Sequence, residues 1–217
     1  SLAVSITTAN QPSQPGSISG AAAPCQTSAQ TYSVTAVSGA LSYLWTCPSG
    51  WTGTSTSNSI SVTVGAGSGT ISVVAVNGCG SSTARSKNVT VSLVPARPLA
   101  VTVSNGTAAV CPGQSRTYSI TAVTGATSYI WTVPVGGTIT SGQGTTSINV
   151  SYNSSFVASG TVGVRSSNAC GNSYSRNFTV SLNKPASSAS ITGPATACTN
   201  SITSYTAAAV TGATSYA

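Results

Sequence analysis

The chain has 217 residues and a net charge of +7, and it contains no Asp, Glu or His. General acid–base catalysis uses carboxylates and imidazoles, and hard cations need carboxylate ligands, so this composition argues against an enzyme, a metal site or a cofactor. The basic residues are scattered rather than clustered, so we expect no nucleic-acid surface. No stretch of roughly 18 apolar residues is present, so we expect no membrane span.

The predicted elements are all β-strands, because Val, Ile, Tyr and Ala alternate with Ser and Thr at a period of two. In the first part of the chain these strands are predicted at 31–37, 41–46, 58–64, 69–76 and 84–93. In the second part they are predicted at 101–103, 117–123, 128–133, 138–140, 147–152, 160–165 and 174–182. About seven short strands with turns between them predict an immunoglobulin-like β-sandwich, and no segment has helical periodicity.

The sequence also repeats itself. Residues 25–48 read CQTSAQTYSVTAVSGALSYLWTCP, residues 111–134 read CPGQSRTYSITAVTGATSYIWTVP, and a third copy begins CTNSITSYTAAAVTGATSY at Cys198. The early cysteines of the three copies are 86 and 87 residues apart. A fixed period of this size indicates a tandem array of small β-sandwiches.

The repeat period sets the expected domain boundaries. Residues 1–10 read as the last strand of a preceding repeat, 15–95 and 98–184 as complete β-sandwiches, and 187–217 as the truncated first part of a further repeat. The linkers between them are short and contain proline, which favours a stiff, extended rod.

The two incomplete parts would leave strand edges open to pairing. We therefore expect continuous chain to fill these edges in the native polymer. The alternative is a head-to-tail assembly in which the opening strand of one molecule completes the unfinished repeat of another.

Two tryptophans occupy the same repeat position. Trp45 and Trp131 both lie in the strand that follows the first turn of their repeat. An aromatic side chain at a fixed position on an alternating strand is expected to fill the core between the two sheets. The basic residues Arg85 and Arg176 also share a repeat position, six residues after a late cysteine, and are interpreted as a solvated strand face.

Each complete repeat has an early and a late cysteine, Cys25 with Cys79 and Cys111 with Cys170. Paired cysteines without metal or redox motifs indicate disulfides in an oxidising compartment. The first expectation is a bond within each repeat, and Cys198 is expected to pair outside this sequence. The alternative joins the early cysteine of one repeat to the late cysteine of the next, because only Cα distances decide between the two.

Cys47 has no counterpart in the second repeat, where Val133 takes its place. It is interpreted as a buried free thiol, with an intermolecular disulfide as the alternative.

Several motifs together resemble a known family. These are ITGPATAC at 191–198, VTGATSYIWTVP at 123–134, GTITSGQGTTSINVSY at 137–152 and SNACGNS at 167–173. They resemble the PKD-like, immunoglobulin-like repeats of Bacteroidota surface proteins. The resemblance implies tandem extracellular β-sandwiches in very large secreted or cell-surface proteins, many of them adhesins, some linked to gliding and exported by the type 9 system. It offers no catalytic residues to carry over.

The first repeat departs from this pattern, since TSTS replaces SGQGT and both Cys47 and Trp51 are additions. The leading functional expectation is a structural segment of an extracellular filament or adhesin, whose partners are further repeats or other copies of the same chain. A second is a module that binds a glycan or a surface through exposed aromatics, with Trp51 and Tyr174 as candidates. A third is an accessory segment of a secreted enzyme.

Overall fold

The computed structural model describes residues 10–184, 190–211, 213 and 215. Six strands lie in the first repeat: β1 (Ala29–Ser33), β2 (Ser42–Thr46), β3 (Ser59–Thr63), β4 (Gly69–Asn77), β5 (Gly80–Ser81) and β6 (Arg85–Val89). The second repeat contains β7 (Thr102–Ser104), β8 (Ala109–Val110), β9 (Ser115–Ser119), β10 (Ser128–Thr132), β11 (Gly137–Ser141), β12 (Ser147–Tyr152), β13 (Gly160–Asn168), β14 (Gly171–Asn172) and β15 (Arg176–Leu182). Two short strands follow, β16 (Ile191–Thr192) and β17 (Thr206–Ala207). Throughout the described residues the fold is all-β.

The chain divides into two compact units. Among the described residues, the first unit comprises 10–96 together with 124–127 and 167–173, and the second comprises 97–123, 128–166 and the described residues from 174 onward. The expected boundaries at 15–95 and 98–184 do not include the two short segments of the second repeat that belong to the first unit. Of residues 1–10, expected to be the last strand of a preceding repeat, residues 1–9 lie outside the described residues.

The first unit is built from two antiparallel sheets. Strand β1 pairs with β3, with Tyr32 opposite Ile60, while β4 lies between β2 and β6 and continues into the hairpin strand β5. Buried side chains from both sheets form one cluster: Ile18, Tyr32, Val34, Tyr43, Trp45, Trp51, Ile60, Val62, Val64, Ile71, Val73, Ala75 and Val89. The two sheets therefore enclose a common core, as the alternating pattern predicts.

The second unit has the same two-sheet plan. One sheet has the order β11-β12-β9-β7, and the other has the order β10-β13-β15-β8, with β8 parallel to β15. Strand β9 ends at Ser119, although the pattern predicts a strand through Val123. The Ile120 N–H still donates to the Thr146 carbonyl (2.9 Å), and farther along the Val123 N–H donates to the hydroxyl of Tyr129 (2.8 Å) instead of joining the sheet.

The structure buries both repeat tryptophans. Trp45 is 8% exposed and its indole N–H donates to the Ser57 carbonyl, while Trp131 is 2% exposed and donates to Thr145 in the same way. Each indole thus fills the core and satisfies its polar group, which is the arrangement a buried tryptophan needs.

The two cores differ around Tyr32 and Tyr118, which occupy the same position in the two repeats. In the first unit Trp51 is 8% exposed, lies 6.1 Å from the ring of Tyr32, and donates to the Gly67 carbonyl. In the second unit Tyr152 packs against Phe156 at 4.8 Å and bonds to the hydroxyl of Tyr118 at 2.8 Å. The prediction that Trp51 is an exposed aromatic is wrong.

The strand register explains this difference. Tyr32 lies opposite Ile60 and Tyr118 opposite Ile148, so Val64 stands where the second repeat has Tyr152. The smaller valine leaves space beside the tyrosine of the first repeat, and Trp51 occupies that space.

Candidate functional site: the cysteine turns and the linker contacts

Two turns with the sequence Asn-Xaa-Cys-Gly end the longest strands of the two repeats. They connect β4 to β5 at residues 77–80 and β13 to β14 at residues 168–171. In each turn the Asn side-chain oxygen accepts the N–H of the cysteine, at 2.9 Å and 2.8 Å. Gly80 and Gly171 have φ of +136° and +133°, a conformation that favours glycine. We call these two segments the cysteine turns.

The second cysteine turn carries a disulfide. Cys170 is bonded to Cys25, with a Cα–Cα distance of 5.4 Å and a sequence separation of 145 residues, and both cysteines belong to the first compact unit. Cys25 itself is held by a parallel bridge to Ser92, just after β6. The bond therefore crosslinks the early cysteine of the first repeat to the late cysteine of the second repeat.

This bond corrects the expected pairing. The predicted bonds Cys25–Cys79 and Cys111–Cys170 are both wrong, because Cys25 and Cys170 are bonded to each other. Along β4, the turn with Cys79 follows Asn77, whereas Cys25 lies near the opposite, Gly69 end of that strand. Nine strand residues span roughly 27 Å, well beyond the about 7 Å that a disulfide can bridge.

The asparagines of the cysteine turns also hold neighbouring backbone. The Asn168 side-chain N–H donates to the carbonyls of Leu93 (2.8 Å) and Gly125 (3.0 Å). The Asn77 side chain makes the corresponding bonds to Asn10 (2.8 Å) and Gly39 (3.1 Å). Each asparagine therefore fixes its turn to a segment that lies just before a linker.

The linkers themselves are bound by arginine. The Nε of Arg85 donates to the Pro15 carbonyl (2.9 Å), and the Nε of Arg176 donates to the Pro98 carbonyl (2.9 Å). Arg85 also donates through Nη2 to the side chain of Gln14 at 3.0 Å. We call the two Arg–Pro pairs the linker contacts.

The interpretation of these arginines as a solvated face is wrong, because their donors bind the linkers. The signal available in the sequence was their fixed distance after the late cysteine together with a proline in each linker.

Cys47, Cys111 and Cys198 form no disulfide within the described residues. Cys47 is half-buried against the first core, and burial raises the pKa of its thiol. Cys111 is half-buried and its Sγ donates to the Asn183 carbonyl at 3.3 Å, while Cys198 is exposed. The structure thus places Cys47 as a thiol and brings Cys25 and Cys170 together.

The remaining expected features concern ligands and membranes. No group of three or more His, Cys, Asp or Glu side chains that could hold a metal ion occurs among the described residues. In the same part of the chain, no helix is long and apolar enough to cross a membrane. Of the two candidate binding aromatics, Tyr174 is 89% exposed and Trp51 is buried.

The fold and these turns define a class of protein: tandem, all-β sandwiches of the immunoglobulin-like kind. Residues 11–89 and 95–180 match the PKD-like domain family. These two matches cover more than half of the sequence, so the chain belongs to the PKD-like domain family. Among curated proteins no match was found.

Solved structures with related folds come from several proteins. Domains A168–A170 of titin match with 16% identity and a TM-score of 0.43, covering 79% of this chain and 61% of that chain. Murine CEACAM1b matches with 13% identity and a TM-score of 0.40, covering 77% and 98%. The Escherichia coli adhesin FdeC matches with 15% identity and a TM-score of 0.30, covering 82% and 67%. At these values the likenesses carry no functional argument.

Proposed function

We propose that this chain is a load-bearing structural segment of a long extracellular filament or cell-surface adhesin, and that it has no catalytic role. The observation that carries the proposal is the Cys25–Cys170 disulfide, which covalently joins two successive repeats. Disulfides are typical of oxidising compartments such as the cell exterior. The proposed setting is a Bacteroidota surface protein exported by the type 9 system, in an adhesive or gliding apparatus.

The position of the bond suits a spacer under tension. A force applied at the two ends of this segment passes from Cys25 directly to Cys170 through the sulfur atoms. The residues between the two cysteines then form a closed loop. The disulfide carries the applied force, and the backbone of the loop does not. Both sandwich cores lie largely within that loop, so stretching the segment does not require unfolding them.

The linker contacts support the same role. Arg85 and Arg176 bind the carbonyls of Pro15 and Pro98, and each bond has a charged donor. Charge-assisted hydrogen bonds are stronger than neutral ones, and proline removes backbone freedom. Both effects stiffen the linkers, which is useful in a stalk that must hold a tip at a distance.

A force measurement tests the load-bearing property. The intact chain is stretched by its termini with a single-molecule instrument, first oxidised and then in reductant. We expect reduction to add roughly 500 Å to the fully extended length, since each released residue contributes about 3.3–3.6 Å. An unchanged extended length would refute the load-bearing role, and Cys198→Ser serves as the matched control that should behave like the parent chain.

The extracellular setting has its own test. Intact cells that make the protein are treated with an amine reagent that cannot cross membranes, and the chain is then isolated. We expect the exposed side-chain amine of Lys184 to be labelled on intact cells to the same extent as after lysis. Labelling only after lysis would contradict the surface location.

A further inference from the structure

Cys111 in the second unit has the same backbone setting as Cys25 in the first. The Ser92 N–H donates to the carbonyl of Pro24 (2.9 Å), and the Asn183 N–H donates to the carbonyl of Val110 (2.8 Å). In both cases the residue that follows the accepting carbonyl is the early cysteine of the repeat, Cys25 or Cys111. The closing strand of each repeat therefore holds its early cysteine in the same register.

In the first unit this setting is a docking site for a cysteine turn. Cys25 bonds Cys170, the Leu93 carbonyl accepts the side-chain N–H of Asn168, and Val94 approaches the α-carbon side of Gly171, 3.4 Å from a methyl placed there. A covalent bond and a hydrogen bond thus hold the Asn-Xaa-Cys-Gly turn, and Val94 lies close to its glycine. This is an occupied example of the site within the same chain.

In the second unit the corresponding place is an apolar groove. It has a volume of about 410 Å³ and is lined by residues that include Cys111, Phe156, Val157, Leu182 and Lys184. Val157 is 75% exposed, whereas Phe156 is buried. The loop that carries both is longer than its counterpart, since residues 153–159 replace residues 64–68 between the flanking strands.

We propose that this groove docks the cysteine turn of another PKD-like repeat, and that Cys111 forms a disulfide with the cysteine of that turn. The turn at 77–80 supports this occupant, because it repeats the Asn–Cys bond and the glycine φ of the bonded turn at 168–171. Lys184 follows Asn183 as Leu93 follows Ser92, so the two residues are equivalent. The carbonyl of Lys184 therefore accepts a hydrogen bond from the side-chain N–H of the asparagine in the incoming turn.

The chemistry of the bond balances with a disulfide oxidant. The thiols of Cys111 and of the incoming turn lose two protons and two electrons as their sulfur atoms join. A small-molecule disulfide of the glutathione type accepts the electrons and protons and leaves as two thiols. Exchange in two steps through a mixed disulfide follows the same balance.

The proposed bond extends the spacer function. A bond from Cys111 to the following repeat would begin inside the loop that Cys25 and Cys170 close. The loops closed by successive disulfides would then overlap along the array. Each linker would lie inside a closed loop, so a disulfide would carry the load beside the linker backbone. The docking proposal rests on the load-bearing role, but the two can fail separately. The load-bearing role depends on Cys25, whereas docking depends on Cys111.

A labelling experiment on the full chain tests the proposal. The probe is the peptide Ser-Asn-Ala-Cys-Gly-Asn-Ser, copied from residues 167–173, with its cysteine joined to glutathione. Attack by a protein thiolate transfers the peptide and releases glutathione as a thiol. Tryptic digestion then separates Cys111, in residues 88–116, from Cys198, in residues 177–217.

The ratio of labelling at Cys111 to labelling at Cys198 is compared between the peptide and glutathione disulfide. We expect the peptide to raise this ratio by about tenfold, equivalent to about 1.4 kcal/mol of docking. A peptide with alanine at the positions of Asn168 and Gly171 should lose most of this gain. The full-length variant Val157→Ser should lose most of it as well. A ratio no higher for the peptide than for glutathione disulfide would overturn the proposal.

Discussion

At the scale of single residues, the alternating pattern predicts which side chains fill the core where both repeats agree. Trp45 and Trp131 occupy one position, and both indoles are buried with their N–H bonded to a carbonyl. Trp51 was not predictable in this way, because it occurs in one repeat only and its burial depends on the smaller Val64 beside Tyr32. Packing of this kind depends on which side chains face each other across two sheets, and the repeat alignment does not show it.

Replacing Trp131 with alanine should strongly destabilise the second unit. The indole is 2% exposed, so its removal leaves a cavity and orphans the Thr145 carbonyl, at a cost of about 3–5 kcal/mol. Chemical denaturation followed by circular dichroism measures the loss. Tyr174→Ala is the control, since that ring is 89% exposed and its loss should change stability little. Equal effects of the two substitutions would contradict the core assignment.

The buried tyrosine pair should make stability depend on alkaline pH. Burial raises the pKa of Tyr152 and of Tyr118 above the usual value near 10, and their mutual hydrogen bond raises the pKa of Tyr152 further. Above pH 10 the unfolded chain loses protons that the folded chain retains, so the free energy of unfolding falls as pH rises. Below pH 10 this contribution is fully present.

Denaturant midpoints measured between pH 8 and pH 12 test this dependence. We expect a steeper alkaline loss in the parent chain than in Tyr152→Phe, which removes one of the two titrating hydroxyls. An identical slope in the two chains would count against the pair. These pH values are chosen around the ordinary tyrosine pKa of about 10.

At the scale of elements, strand positions follow from the sequence, but strand ends and side-chain partners follow from contacts. The prediction of 147–152 matches β12, whereas the strand predicted through Val123 ends at Ser119, and the Val123 N–H donates to the hydroxyl of Tyr129. The disulfide partner of Cys25 was open between two choices. The antiparallel order of β4 and β6 decides it, and that order is not visible in cysteine spacing.

Loss of a linker contact should loosen the linker without unfolding a core. In Arg176→Ala the Pro98 carbonyl loses a bond to a charged donor, worth about 1.5–3 kcal/mol. We expect amide hydrogen exchange across residues 97–101 to rise by roughly tenfold or more, since about 1.4 kcal/mol is a factor of ten. Exchange in the core strand β13 should stay as it is in the parent.

Arg165→Ala is the matched control for this experiment. Arg165 is exposed on β13 and lies in the same repeat. Its replacement should leave exchange in the linker unchanged. If Arg176→Ala also leaves the linker unchanged, the arginine does not hold it.

At the scale of the whole molecule, the repeat period predicted tandem sandwiches, and the family match confirms PKD-like domains over both complete repeats. The period alone does not predict that the loop closed by the disulfide is longer than one repeat. The Cys25–Cys170 bond closes a loop of 145 residues, more than one and a half times the period. This crosslinking across repeats is the feature on which the proposed function depends.

Removing the bond should lower the stability of the first unit. Closing a loop of about 145 residues restricts the unfolded chain by about 5 kcal/mol in the loop-entropy estimate, with strain and residual structure reducing the measured value. Cys25→Ser should therefore shift the denaturation of the first unit to lower denaturant. Tryptophan fluorescence in a Trp131→Phe background reports on that unit, through Trp45 and Trp51. Cys198→Ser should not shift it.

Peptide mapping without reductant tests the crosslink across repeats most directly. Trypsin places Cys25 in residues 1–85 and Cys170 in residues 166–176, while Cys111 lies in residues 88–116. We predict a linked pair of the first two peptides that disappears on reduction and in Cys25→Ser, and chymotrypsin then separates Cys25 from Cys79 within the larger one. A link between 88–116 and 166–176, or a free 166–176 peptide, would contradict the account.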